Sequence, residues 1–85
     1  MSKIIGTFER NGLVWHETDS SAIKAFAYSE VSQELLIEFK GKYKRRYIYK
    51  DVPVSLGKSM RMAHSMGKFF QTMIRGQYQT EVVNG

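Results

Sequence analysis

The chain has no cysteine and only two histidines in 85 residues. Disulfides and thiolate metal sites are therefore excluded, and nothing in the composition calls for an oxidising compartment, so the expected location is the cytoplasm. His16 and His64 stand in different predicted elements and share no ligand spacing, so no metal or other cofactor is implied. Each has a polar neighbour in sequence, Glu17 and Ser65, but a catalytic triad is assembled in space from separated elements, and catalysis finds no positive support. Apolar runs are short. Ile4-Ile5 is interrupted too soon for a signal-peptide core, and no stretch approaches the roughly 18 residues of a membrane span. Acid is scarce over half the chain: residues 1–39 hold three Lys/Arg against six Asp/Glu, whereas 40–80 hold ten against one. A chain of this length allows one small domain burying somewhat over roughly 60% of its unfolded surface, too little for a deep catalytic cleft and its scaffold.

What is present is concentrated between Lys40 and Lys50. That segment reads KGKYKRRYIYK, six basic residues and three tyrosines with no acid. Cations for phosphates and flat rings for bases are what a single-stranded nucleic-acid binder presents. A strand whose lysines keep a solvated edge from aggregating carries the same pattern.

Periodicity sets the elements. Asn11-Gly12 supplies the positive-φ pair of a type I′ turn, so residues 3–16 form a hairpin with Phe8 facing Trp15, a packing role before a stacking one. Glu17 to Ser21 is turn-forming. Ala22 to Tyr28 alternates in two registers, with Ile23, Ala25 and Ala27 on one side and Lys24, Phe26 and Tyr28 on the other, as in a strand covered on both faces. Leu35, Ile37 and Phe39 share one face of the next strand, and Glu38 and Lys40 share the other. A strand over 44–50 puts Arg45, Tyr47 and Tyr49 opposite Lys44, Arg46, Ile48 and Lys50. Tyr47 and Tyr49 either pack on the core or form an exposed platform. Tyr43, beside Gly41, is the better candidate for an exposed ring.

Val52-Pro53 closes the sheet. Leu56, Met60 and Ala63 make the apolar stripe of a short helix, and Phe69, Phe70, Met73, Ile74 and Tyr78 that of a second helix over 68–78. Ser65-Met66-Gly67-Lys68 reads either as an N-cap and bend between the helices or as an anion cradle. Residues 79–85 carry no periodic signal and are expected to fray. The fold class is α+β: an antiparallel sheet of about five strands, including the hairpin, with two C-terminal helices on one face. The expected core joins Leu35, Ile37, Phe39, Met60, Phe70, Met73 and Ile74.

Ser20-Ser21-Ala22-Ile23, Tyr28, Leu35 to Phe39, Tyr47-Ile48-Tyr49, Val52-Pro53, Ala63 to Gly67, Phe70 and Ile74 to Tyr78, in this order and spacing, resemble the KTSC domain. That family takes its name from the C-terminus of some lysyl-tRNA synthetases and also occurs as stand-alone bacterial or phage proteins. The resemblance covers residues 20–78, leaving 1–19 as a hairpin extension and 79–85 as a tail. It implies the fold and, through the synthetase context, an RNA-binding role, while aminoacylation cannot fit in a chain of this size. The basic KGKYKRR run and the leading hairpin are departures from the family pattern.

The expected function is a non-enzymatic, basic nucleic-acid-binding module for RNA or single strands with weak sequence specificity. Its phosphate contacts would be Lys40, Lys42, Lys44, Arg45, Arg46 and Lys50, extended by Lys58, Arg61, Lys68 and Arg75, with Tyr43 stacking. The alternative is a protein-interaction module, such as a phage-type inhibitor docking on an acidic host surface. No membrane partner is expected, since the Phe69 and Phe70 rings are needed in the core.

Overall fold

The computed structural model describes residues 3–41 and 45–83. Six strands, β1 (Ile4–Arg10), β2 (Leu13–Thr18), β3 (Ile23–Ser29), β4 (Glu34–Phe39), β5 (Arg46–Tyr49) and β6 (Thr80–Val83), form one antiparallel sheet in sequence order. Between β5 and β6 the chain makes α1 (Val54–Arg61) and α2 (Met66–Phe69), the latter running directly into a π-helical segment (Phe70–Ile74). Because β6 must return to pair with β5, both helical elements are laid over one face of the sheet.

The hairpin forms as its turn chemistry dictates. Asn11 and Gly12 take φ of 55° and 75°, Phe8 pairs with Trp15, and their rings stack with centroids 6.2 Å apart. β2 continues into β3, so the hairpin is part of the same sheet. The double register of β3 has a physical cause: Ile23 pairs with Phe39 but Ala25 with Glu38, which makes Lys24 the extra residue of a β-bulge. Ile23 and Phe26 thereby point to the helix side, while Ala25 and Ala27 point to the other.

On the helix side Ile23, Phe26, Leu35, Ile37, Tyr49, Val52, Met60, Met66, Phe70 and Ile74 form the main core. Tyr49 is buried and Tyr47 packs at its margin, so the tyrosines belong to the core face. Two expectations fail here. Met73 is 46% exposed, because the last turn closes with an i→i+5 bond, Arg75 N–H to Phe70 C=O at 2.9 Å. The wider turn keeps Phe70 and Ile74 inward and rotates Met73 out. Residues 80–83, expected to fray, instead form the sixth strand, pairing Thr80 with Tyr49 and Val82 with Tyr47.

Helix α1 is seated by a close approach. A Cβ added to Gly57 would lie 2.6 Å from the Tyr28 ring, and the Tyr28 hydroxyl donates to the Val52 carbonyl just before the helix. Only glycine lets the helix backbone lie on that ring.

The opposite face has no helix, yet Trp15 is 2% exposed. Trp15, Ala25 and Ala27 form a second cluster with Phe8, Leu13 and Leu36 around it, and the Arg10 guanidinium lies 4.3 Å from the Trp15 ring centre. Arg10 is held there by Glu38, expected on a solvated face but buried. One Glu38 oxygen accepts from Arg46 Nε at 2.9 Å and Arg10 Nη2 at 3.3 Å, and the other faces Lys24 Nζ at 3.6 Å. Cations from three strands converge on one carboxylate.

Two stability predictions follow from these contacts. Gly57→Ala gains about 1 kcal/mol of helix propensity but overpacks the Tyr28 ring at a cost of about 1–3 kcal/mol, so its melting temperature should fall. A variant more stable than wild type would show that α1 does not rest on that ring. Glu38→Gln leaves three cations around a neutral amide and should cost about 2–3 kcal/mol in denaturant unfolding, below the roughly 3–5 of a fully buried pair because the arginines keep some solvent. Adding Arg46→Gln should recover part of that loss, and an unchanged unfolding midpoint for Glu38→Gln would contradict the cluster.

Candidate nucleic-acid interface

A groove opens between the β2–β3 turn and the start of α2. Side chains hold the turn: Thr18 Oγ1 donates to the Ile23 carbonyl at 2.6 Å and accepts from Ser20 N–H at 3.2 Å. Buried Ser20 Oγ accepts from the N–H groups of Ala22 and Ile23 at 3.2 and 3.3 Å. Opposite, Ser65 caps α2 by accepting from Lys68 N–H at 3.2 Å, so the cap reading of this segment holds. Gly67 passes close enough that an added Cβ would sit 3.5 Å from Ser20 Oγ. The space between is about 490 Å³, with Phe39 and Phe70 in its lining beside Lys68 and Gln71, and Asp19 as its one acid.

Phe39 and Phe70 meet edge to face at 5.3 Å. They also line a second hollow of about 420 Å³ with Tyr47, Tyr49 and Arg75, so the two spaces adjoin across this ring pair. Burial, with Tyr47 adding to it, pushes the Tyr49 hydroxyl up to about 12 against the pull of Arg75. Tyr49 therefore stays neutral at neutral pH. Arg75 Nη1 donates to Gln71 Oε1 at 3.0 Å, which ties the cation to the helical rim of both spaces.

The basic residues sort into three groups. Lys40 and Arg45 flank the β4–β5 connection, where Lys40 N–H donates at 2.9 Å to the carbonyl of Ala22, a residue that lines both spaces, and the Arg45 carbonyl accepts from Phe39 N–H at 3.0 Å. Lys68, in α2, lines the first space, and Arg75, just after the π-helical segment, lines the second. Arg46 is drawn to Glu38 on the far face. Lys50 pairs with Glu81 at 3.0 Å, and that bond raises its pKa above the ordinary 10.5. Lys58 pairs with Glu30 at 3.5 Å, and Arg61 lines a separate, smaller cavity. Lys42, Tyr43 and Lys44 lie outside the described residues.

Sequence reasoning did not place Asp19, Ser20 or Gln71 in a site. Ser20 could have been found, since it opens the motif series that ends at Tyr78. Gln71 carries no such signal. Every described Phe, Tyr and Trp is at least partly covered, and of the rings lining the two spaces Phe39 and Tyr47 are partly exposed while Tyr49 and Phe70 are buried. Among the described residues no three His, Cys, Asp or Glu side chains gather as a metal site, and no helix is long and apolar enough to cross a membrane.

No curated protein matches the chain. A solved KTSC domain protein from Yersinia pestis superposes on it with a TM-score of 0.77 at 25% identity, over 84% of this chain and 97% of that one. The sequence model of the KTSC domain matches residues 19–78, a span that runs from Asp19 at the groove through both helical elements to Tyr78. The whole of β1, β2 and β6 lies outside it. By that match, and by the sheet and helical layer it encloses, the chain belongs to the KTSC domain family.

Proposed function

We propose that the protein binds RNA or another single-stranded nucleic acid along the groove, with phosphates on Lys40, Lys68 and Arg75 and with weak sequence preference. One observation carries the reading. Arg10, Lys24, Arg46, Lys50 and Lys58 each have a carboxylate partner, whereas Lys40, Lys68 and Arg75 have none among the described residues. Lys68 lines the groove and Arg75 the adjoining hollow, and Lys40 follows Phe39, which lines both; unneutralised cations along one concave surface attract a polyanion and release its counterions. A single strand suits the site better than a duplex: among the described residues the longest helix has eight residues and is seated on the sheet, so none of them supplies a helix that stands out to enter a major groove. Partly covered rings offer a base an edge to rest on and no code of donors and acceptors, hence the weak preference.

The test is salt dependence. Each single-strand phosphate contact contributes about −0.7 to the log–log slope of affinity against salt. Joint replacement of Lys40, Lys68 and Arg75 by Gln should therefore flatten the slope by about 2 and weaken binding. Replacing the paired Lys24, Lys50 and Lys58 by Gln changes the net charge equally and should leave the slope within about half a unit. Equal flattening by both triples would reduce the effect to net charge. Absence of wild-type affinity at low salt would turn the reading toward an acidic protein surface.

A further inference from the structure

The hollow that adjoins the groove has a volume of about 420 Å³, within the range of about 300–1,000 Å³ that small-ligand pockets occupy. Its buried rings are Tyr49 and Phe70, which meet edge to face at 5.3 Å. The partly exposed Phe39 and Tyr47 rings stand beside them. Arg75 and Gln71 make its polar rim, and no acid lines it.

One polar group in this lining is left over. Arg10 Nε, Trp15 Nε1 and His16 Nδ1 also lack a hydrogen-bond partner, but they are sealed from solvent and can serve no ligand. The Tyr49 hydroxyl differs from them. It has no hydrogen-bond partner among the described residues and is not sealed as those three atoms are, although the residue as a whole is only 3% exposed. Of the spaces described it lines this hollow alone, and it lies close enough to Arg75 to feel that charge. A polar group so nearly enclosed and without a protein partner calls for an explanation.

The lining defines what would complete it. The rings ask for a flat apolar body, the hydroxyl for a polar edge on that body, and the Arg75 guanidinium for negative charge at the mouth. An alkyl chain would leave the hydroxyl unpaired, and an aromatic amine would meet Arg75 as a like charge. A nucleobase attached to its phosphate meets all three demands. Arg75 has one of its five donors committed to Gln71 and keeps the others for that phosphate.

From the reading of the groove as a single-strand site, on which this step rests, we infer that the strand turns one base into the hollow. The base lies against Phe39 and Tyr47 and pairs with the Tyr49 hydroxyl, while Arg75 holds the adjoining phosphate. A lone hydroxyl donates or accepts, so it finds a partner on the edge of any base and adds little sequence preference.

The experiment titrates the whole protein at low salt with oligouridylate and with a ribose-phosphate strand of the same length that carries no bases. The strand with bases should bind about tenfold tighter or more, and the salt slopes of the two should agree because their phosphates are equal in number. Tyr49→Phe keeps the ring and its packing and removes only the hydroxyl. It should weaken oligouridylate about threefold to tenfold and leave the base-free strand unchanged. Equal affinity of the two strands in the wild type, or a Tyr49→Phe effect that is absent or the same for both, would overturn the base site and leave the groove reading standing. Binding of neither strand would overturn both. Uridine monophosphate bound as tightly as the oligonucleotide would assign the hollow to a free nucleotide, against the strand.

Discussion

Burying the Glu38 carboxylate as a lone ion would cost several kcal/mol, and the fold offsets this by bringing Arg10, Lys24 and Arg46 to it from β1, β3 and β5. The consequences reach both faces of the sheet. Arg10 is fixed over Trp15 and completes the cover of the smaller cluster. The bulge at Lys24, which aims Ala25 at that cluster and Ile23 at the main core, places its ammonium beside the same carboxylate. Arg46 is committed to the helix-free face, which fixes Tyr47 and Tyr49, its neighbours in the alternation, on the helix side. One buried acid thus links register, packing and the sorting of cations.

The groove is a product of topology. The two helical elements are inserted between adjacent antiparallel strands, so they must leave the end of β5 and return to β6 at its side. The π-helical turn shortens that return and directs Phe70 against Phe39, while Arg75 and Gly76 lead back toward the sheet. The concave surface appears where the helical layer stops short of the β2–β3 turn. The Ser20 and Ser65 hydroxyls satisfy backbone N–H groups at its two walls, which keeps the walls fixed without filling the space.

Much of this was legible in the sequence because period and turn chemistry are local signals. The Asn11-Gly12 hairpin, the Phe8–Trp15 pair, the Leu35-Ile37-Phe39 face and the Ser65 cap all follow from residues a few positions apart. The parts that were not legible depend on partners distant in sequence. Glu38 alternates like a solvent-facing residue and is buried only because three strands deliver cations to it. β6 is a short TEVV segment with three exposed residues, stabilised by pairing with β5 and by no pattern of its own. Met73 follows the α-helical stripe and leaves it because the turn is wider. The basic run read as one patch, yet strand alternation divides it: Arg46 turns to Glu38 on the helix-free side, while Arg45, one residue earlier, falls on the side of Tyr47.

The central claim is that ion pairing separates cations that hold the fold from cations that face a ligand. The most direct measurement is a map of backbone amide shifts while a short single-stranded RNA is titrated into the protein at low salt. The account predicts that the largest changes cluster at 19–22, at Lys40 and along 65–76, with the amides of Arg10, Lys24 and Arg46 nearly unmoved. Changes centred on the Glu38 face, or spread evenly over all basic positions, would contradict it.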